Sequence, residues 1–271
     1  MTDFGSDPPR STRPPPPPPN LAPPPGSAGG YHPPPPPGYT AYGAPSDATA
    51  GALRKIGGLS KALVILMMVF VPLQLLSVAS VFTVRDKARE YLAGDITARQ
   101  FTDSQANVGI LAGLLIIPIA VLTILIMYRM ADNLRAIGRT GATWKPGWGI
   151  AGWFCPPFAV YAIPWLMFRE LWKGSNPQTP PHDPSWKSGP VSPLVNVWWV
   201  LYGLVPLAGF ATSAGFVTSF NNFSTRKLAQ RIDDFWAINA VLAAVLAVCG
   251  VVYLVMIRQL SARHMATTHE T

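Results

Sequence analysis

Five apolar stretches of this chain contain no Asp, Glu, Lys or Arg: Ala62 to Val84, Ser104 to Tyr128, Pro146 to Phe168, Ser188 to Thr225 and Phe235 to Ile257. Each reaches the ~20 residues that a helix needs to cross roughly 30 Å of hydrocarbon. A charge at mid-membrane costs about 2.5 to 3.5 kcal/mol, so the confinement of charge between these stretches is the expected mark of insertion. A soluble protein can bury one such helix but not five. The chain therefore reads as an all-α, multi-pass membrane protein, and its 13% of charged against 49% of apolar residues agrees.

The first apolar run starts near residue 59, too deep for a removable secretion signal, and is expected to stay as a span. The net charge of +8 sits in segments flanking the apolar runs. It reads as orientation charge, with the lipid bilayer as the expected partner and no nucleic acid. Cys155 and Cys249 both lie inside apolar stretches, which argues against a disulfide framework or a metal site.

Three regions follow: a tail over residues 1–52, a membrane domain over 53–262 and a C-terminal tail over 263–271. The first holds 17 of the 30 prolines, including the runs Pro14 to Pro19 and Pro33 to Pro37. Proline removes a backbone donor and fixes φ, so this tail is expected to be disordered, with extended polyproline stretches. It reads either as a solvated spacer or as a ligand for a cytoplasmic protein partner, with Tyr31, Tyr39 and Tyr42 as contacts.

Four spans are expected, at about 62–84, 107–128, 194–217 and 235–257. The second helix is expected to run past its span, since Met130, Leu134 and Ile137 share a face, and to stop at Gly138 or Gly141. The spans form two hairpins with related residues. Val71-Pro72-Leu73 corresponds to Val205-Pro206-Leu207, Phe82 to Phe216, Asn107 to Asn239 and Arg129 to Arg258, which reads as a duplication. Six of the nine tryptophans fall between Trp144 and Trp186, while Pro156, Pro157 and Pro164 interrupt the apolar run there. A broken, re-entrant or interfacial segment at 146–168 is the expectation. If it does not cross, one side of the membrane carries 14 of the 21 Lys and Arg; if it does, the larger share is 12. The positive-inside rule then favours four spans with both termini cytoplasmic, in the plasma membrane.

Tyr128-Arg129-Met130-Ala131-Asp132-Asn133-Leu134-Arg135, then Trp144-Lys145-Pro146-Gly147-Trp148, Gly152-Trp153-Phe154-Cys155-Pro156-Pro157, Pro164, Glu170-Leu171-Trp172 and Trp198-Trp199 form an ordered set. This set resembles the bacterial membrane family called domain of unknown function 4328, over most of residues 60 to 262. The resemblance implies a protein class and a bacterial origin but no activity.

No Asp, Glu, His, Lys or Arg lies in the apolar stretches, and His32, His182, His264 and His269 read as tail or loop residues. Without a P-loop, HExxH or G-x-S-x-G, no catalytic residue, metal ligand or cofactor is expected, and the chain is not expected to be an enzyme. Polar residues in the spans, among them Gln74, Ser77, Ser80, Asn196 and Asn239, read as interhelical hydrogen-bonding groups. The candidate lipid or partner site gathers Arg129, Asp132, Asn133, Arg135, Trp144, Trp148, Trp153, Pro156, Glu170 and Trp172. In it, Asp132 pairs with Arg135, Arg135 and Glu170 flank the central segment, and the tryptophans form a roof. Two functions stand open: a non-enzymatic scaffold, sensor or partner-binding component, or a small-solute transporter or channel built from the hairpins. The sequence sets no oligomeric state.

Overall fold

In a computed structural model, residues 53–104, 108–203 and 224–270 are described, and among them every regular element is helical. The proline-rich tail and the part of the expected third span, 194–217, beyond residue 203 lie outside the described residues. The elements are α1 (Gly57–Ala93), α2 (Ala98–Asp103), α3 (Val108–Ala136), α4 (Trp148–Ala151), α5 (Pro157–Gly174), a 3₁₀ turn (Pro184–Ser188), α6 (193–203) and α7 (Thr225–Thr268).

Among the described residues three helices are long and apolar enough to cross a membrane: α1, the Gly113–Ala136 part of α3, and α7. At 1.5 Å per residue α1 and α7 measure about 55 and 66 Å, well beyond the ~30 Å of hydrocarbon. Their polar ends therefore project out of the apolar layer. Along the apolar lengths Ile65, Met68, Leu75, Leu114, Ile117, Val241 and Val248 are exposed. An apolar surface of this extent suits lipid and not water. The chain is a membrane protein.

α1 packs along α7 and against α3. The α1–α7 pair is antiparallel: Ile56 and Gly57 bond Glu270, Gly250 faces Met67 and Val71, and Arg85 and Arg89 reach Asp233. Most buried side chains gather toward the end where α1 begins and α7 finishes. They include Leu63 and Met67 of α1, Met127 and Met130 of α3, Phe168 of α5, Trp198 of α6 and Met256 and Leu260 of α7. Inside hydrocarbon, lipid tails are as apolar as leucine, so close packing and interhelical hydrogen bonds hold such helices together. One such bond joins Thr123 Oγ1 of α3 to the Tyr253 hydroxyl of α7. At the opposite end a small cluster of Ala88, Phe101 and Ala229 ties α2 to α1 and α7.

The Trp/Pro segment leaves the end of α3 and comes back to it. Pro156 precedes α5 in an extended conformation, Pro157 takes the first helical position, where its missing N–H is harmless, and Pro164 sits inside α5 without ending it. α5 then runs antiparallel to α6: the Trp199 indole donates to Tyr161 O, Trp165 stacks on Trp199 at 4.4 Å, and Phe168 meets Trp198. Near its end Glu170 accepts the backbone N–H groups of Thr143 at 2.9 Å and Trp144 at 3.0 Å. Both ends of the segment are thereby fastened to each other.

Candidate functional site

The last two turns of α3 organise this end of the molecule. The side chain of Asn133, 1% exposed, grips the backbone of Arg54: its Oδ1 accepts from Arg54 N at 2.7 Å and its Nδ2 donates to Arg54 O at 2.9 Å. These two bonds fix which way the amide points. The second Nδ2 hydrogen faces His264 Nε2 at 3.0 Å, so Nε2 is the acceptor and Nδ1 carries the proton, 2.8 Å from Ser175 Oγ. A buried polar chain thus links the start of α1, α3, α7 and the residue after α5. Around it Asp132 pairs with Arg54 at 2.6 Å, and Arg129 donates to Lys55 O. Glu270 accepts the N–H groups of Ile56 and Gly57, which no residue within α1 can satisfy.

Beyond α3 the chain turns through Gly138. Arg139 N bonds Leu134 O and Gly138 N bonds Arg135 O, the paired bonds of a Schellman cap, with Gly138 at φ +76°. A β-carbon there would also stand 2.2 Å from the His182 ring. The turn drives Arg139 inward, where it is 2% exposed. Its guanidinium donates to four carbonyls, of Gly174, Asn176, Thr179 and Pro180, at 2.6 to 3.1 Å, and so shapes the loop after α5. Burial pulls Arg139 below its ordinary pKa, and the charge of Asp183 acts against that. Asp183 caps the 3₁₀ turn through Ser185 N, a bond that holds its carboxyl below the usual range.

A depression of about 340 Å³ lies between α5 and the 3₁₀ turn, bordered by Trp144, Leu166, Arg169, Lys173 and Lys187. A second, of about 290 Å³, is bordered by Arg135, Gly138, Arg139 and Ala142. A model of the family described as Domain of unknown function (DUF4328) matches residues 89–262. The chain belongs to that family. No curated protein and no solved structure matches it. The DUF4328 match contains Asn133, Arg139 and Glu170, whereas Arg54, His264 and Glu270 fall outside it.

The expected site residues of this DUF4328 chain separate into groups. Arg129, Asp132 and Asn133 hold the start of α1. Trp144 and Glu170 meet at the larger depression, with Trp148 edge-on to Trp144 at 5.6 Å. Arg135 borders the smaller one and not Glu170's, and Asp132 pairs with Arg54 and not Arg135, because residues 53–57 lie against α3. The tryptophans form no common roof. Trp153 lies edge-on to Tyr202 with an indole N–H that meets no acceptor among the described residues, and Trp172 is in the core with Arg263 over its ring. Pro156 marks the start of α5.

Three further sequence expectations change. His264 is in α7 and fully buried, because that helix continues to Thr268 instead of ending as a tail. Ser77 and Ser80 bond carbonyls of their own helix and make no bond to another helix among the described residues. Arg139 reads in sequence as one more orientation charge, and only the Gly138 turn beside it hints that it points inward.

Proposed function

We propose that this protein is a non-enzymatic multi-pass component of the plasma membrane that binds or positions a partner at the end carrying residues 128–190. The supporting observation is how polar side chains at that end are used. Asn133, His264, Ser175, Arg139, Asp132, Glu170 and Glu270 all serve framework bonds, and what they build is a rigid platform bordered by tryptophan and by cations in excess of carboxylate. Catalysis asks instead for an acid, base or nucleophile aimed at a shared space.

Four spans with both termini cytoplasmic remain our reading of the topology. The bond from Glu170 back to Thr143 and Trp144 supports a re-entrant 146–168, since a straight crossing would put those groups on opposite faces. A common ancestry for the two hairpins, and a disordered proline-rich tail that reaches a cytoplasmic protein, complete the proposal. The test of topology is cysteine labelling in a background without Cys155 and Cys249. Exposed positions Gln178 and Asp95 should label from opposite sides, and labelling of both from outside would replace four spans with five. The test of function is crosslinking and affinity capture from native membranes, with and without residues 1–50. A partner lost on tail deletion or on changing Arg135 supports the scaffold, whereas solute flux in reconstituted vesicles would overturn it.

A further inference from the structure

The larger depression holds three cations against one carboxylate, an excess of positive charge. Its one carboxylate, Glu170, is committed to the N–H groups of Thr143 and Trp144. Among the described residues, no carboxylate lies in ion-pair range of Arg169, Lys173 or Lys187. Lys173 Nζ donates to Lys187 O at 2.7 Å, which draws the two lysines together. The Arg169 guanidinium lies over the Trp165 ring, 4.8 Å from its centre, and Lys187 Nζ stands 5.7 Å from the centre of the Trp186 ring. These ring contacts place both cations while leaving their N–H groups free to donate. Like charges gathered this way repel one another until an anion enters.

The walls of the depression narrow the choice of anion. α5 is apolar from Ala159 to Phe168 and turns charged at Arg169, so the depression straddles the level where hydrocarbon gives way to water. Leu166 and Trp144 form an apolar wall beside the cations. A soluble phosphate would meet only the cations. A phosphate that carries glycerol and acyl chains meets both surfaces, and basic pockets between helices at this level suit anionic headgroups.

We propose that Arg169, Lys173 and Lys187 bind the phosphate of an anionic phospholipid, with Trp144 and Leu166 against its glycerol and upper acyl region. The inference rests on the reading of this end as a binding surface, and names its ligand. The experiment is native mass spectrometry of the full chain in detergent, titrated with phosphatidylglycerol or with phosphatidylcholine of the same acyl chains. The wild type should retain the anionic lipid preferentially. Arg169→Gln with Lys187→Gln should weaken that retention about 25-fold, from roughly fivefold for each of the two basic residues near an anionic surface. Neither side chain donates a hydrogen bond within the described protein, so the melting curve should stay at the wild-type value. Exchanging the two cations, Arg169→Lys with Lys187→Arg, should keep the preference, and Arg99→Gln at the far end should leave it unchanged. Equal retention of both lipids, or an equal loss in Arg99→Gln, would overturn the proposal. Displacement of the lipid by millimolar inorganic phosphate would also overturn it and make the ligand a soluble anion. Absence of any lipid preference in the wild type, with partner capture intact, would remove the lipid and spare the scaffold reading, and absence of both in the wild type would remove both.

Discussion

The two ends of the bundle are polar in different ways. At the end holding residues 54–57, 129–145 and 258–270, the polar groups that join the elements, Asn133, Arg139 and His264, are buried and bonded to backbone or to one another, with the partly exposed Arg54–Asp132 pair beside them. At the end holding residues 85–103 and 225–236, they are partly exposed and paired by charge. Arg85 and Arg89 share Asp233 at 3.2 and 2.7 Å, and Arg85 also lies over Trp236 at 3.9 Å. Water can replace an exposed ion pair but cannot reach a buried amide, so the first end should resist change through the penalty of unmade bonds, the second hardly at all.

Thermal unfolding of single variants in detergent can break or sharpen that contrast. Arg139→Met should have the largest effect, a loss of roughly 3–5 kcal/mol, because four carbonyls lose their donor and the loop after α5 its shape. Arg139→Lys should recover only part, since an ammonium cannot spread donors over four acceptors. Asn133→Ala should follow at about 2–3 kcal/mol, as it frees Arg54 and leaves His264 Nε2 without a donor. A double-mutant cycle with His264→Ala should show about 1 kcal/mol of coupling, and strict additivity would mean the two do not act as one unit.

Gly138→Ala should lose about 1–2 kcal/mol through its left-handed backbone and the clash with His182. His182→Ala should recover the clash portion and not the backbone portion. Glu270→Ala should lose about 1 kcal/mol, the ordinary value of a helix cap. Asp233→Asn, at the other end, should shift the melting temperature least, and added salt should erase the shift. If Asp233→Asn matched Arg139→Met, the contrast between the ends would be wrong.

Sequence made some of this plain and hid the rest for physical reasons. Long apolar runs announce helices because hydrocarbon tolerates no charge, and Gly138 announces a stop because only glycine takes that backbone shape without strain. Arg129, Asp132 and Asn133 stand out as one helix end, but Arg129 and Asn133 bond the backbone of Lys55 and Arg54, which has no side-chain signature. His264 follows a charged exit from an apolar run, and a helix that keeps going into polar sequence looks the same as a tail. Arg139 and Arg135 are four residues apart and chemically alike. Only the three-dimensional turn between them sends one inward and leaves the other at the surface.

The carboxylate that completes the first helix belongs to residue 270, 213 and 214 positions after the two amides it receives. A ribosome releases the opening span into the bilayer long before it has made that group. During synthesis α1 must wait with its leading amides not yet bonded to Glu270, and the same closing contact fastens α7 to α1. Arrested or C-terminally shortened chains should therefore insert α1 normally yet remain sensitive to protease around residues 53–58, with protection arriving in one step as residue 270 emerges.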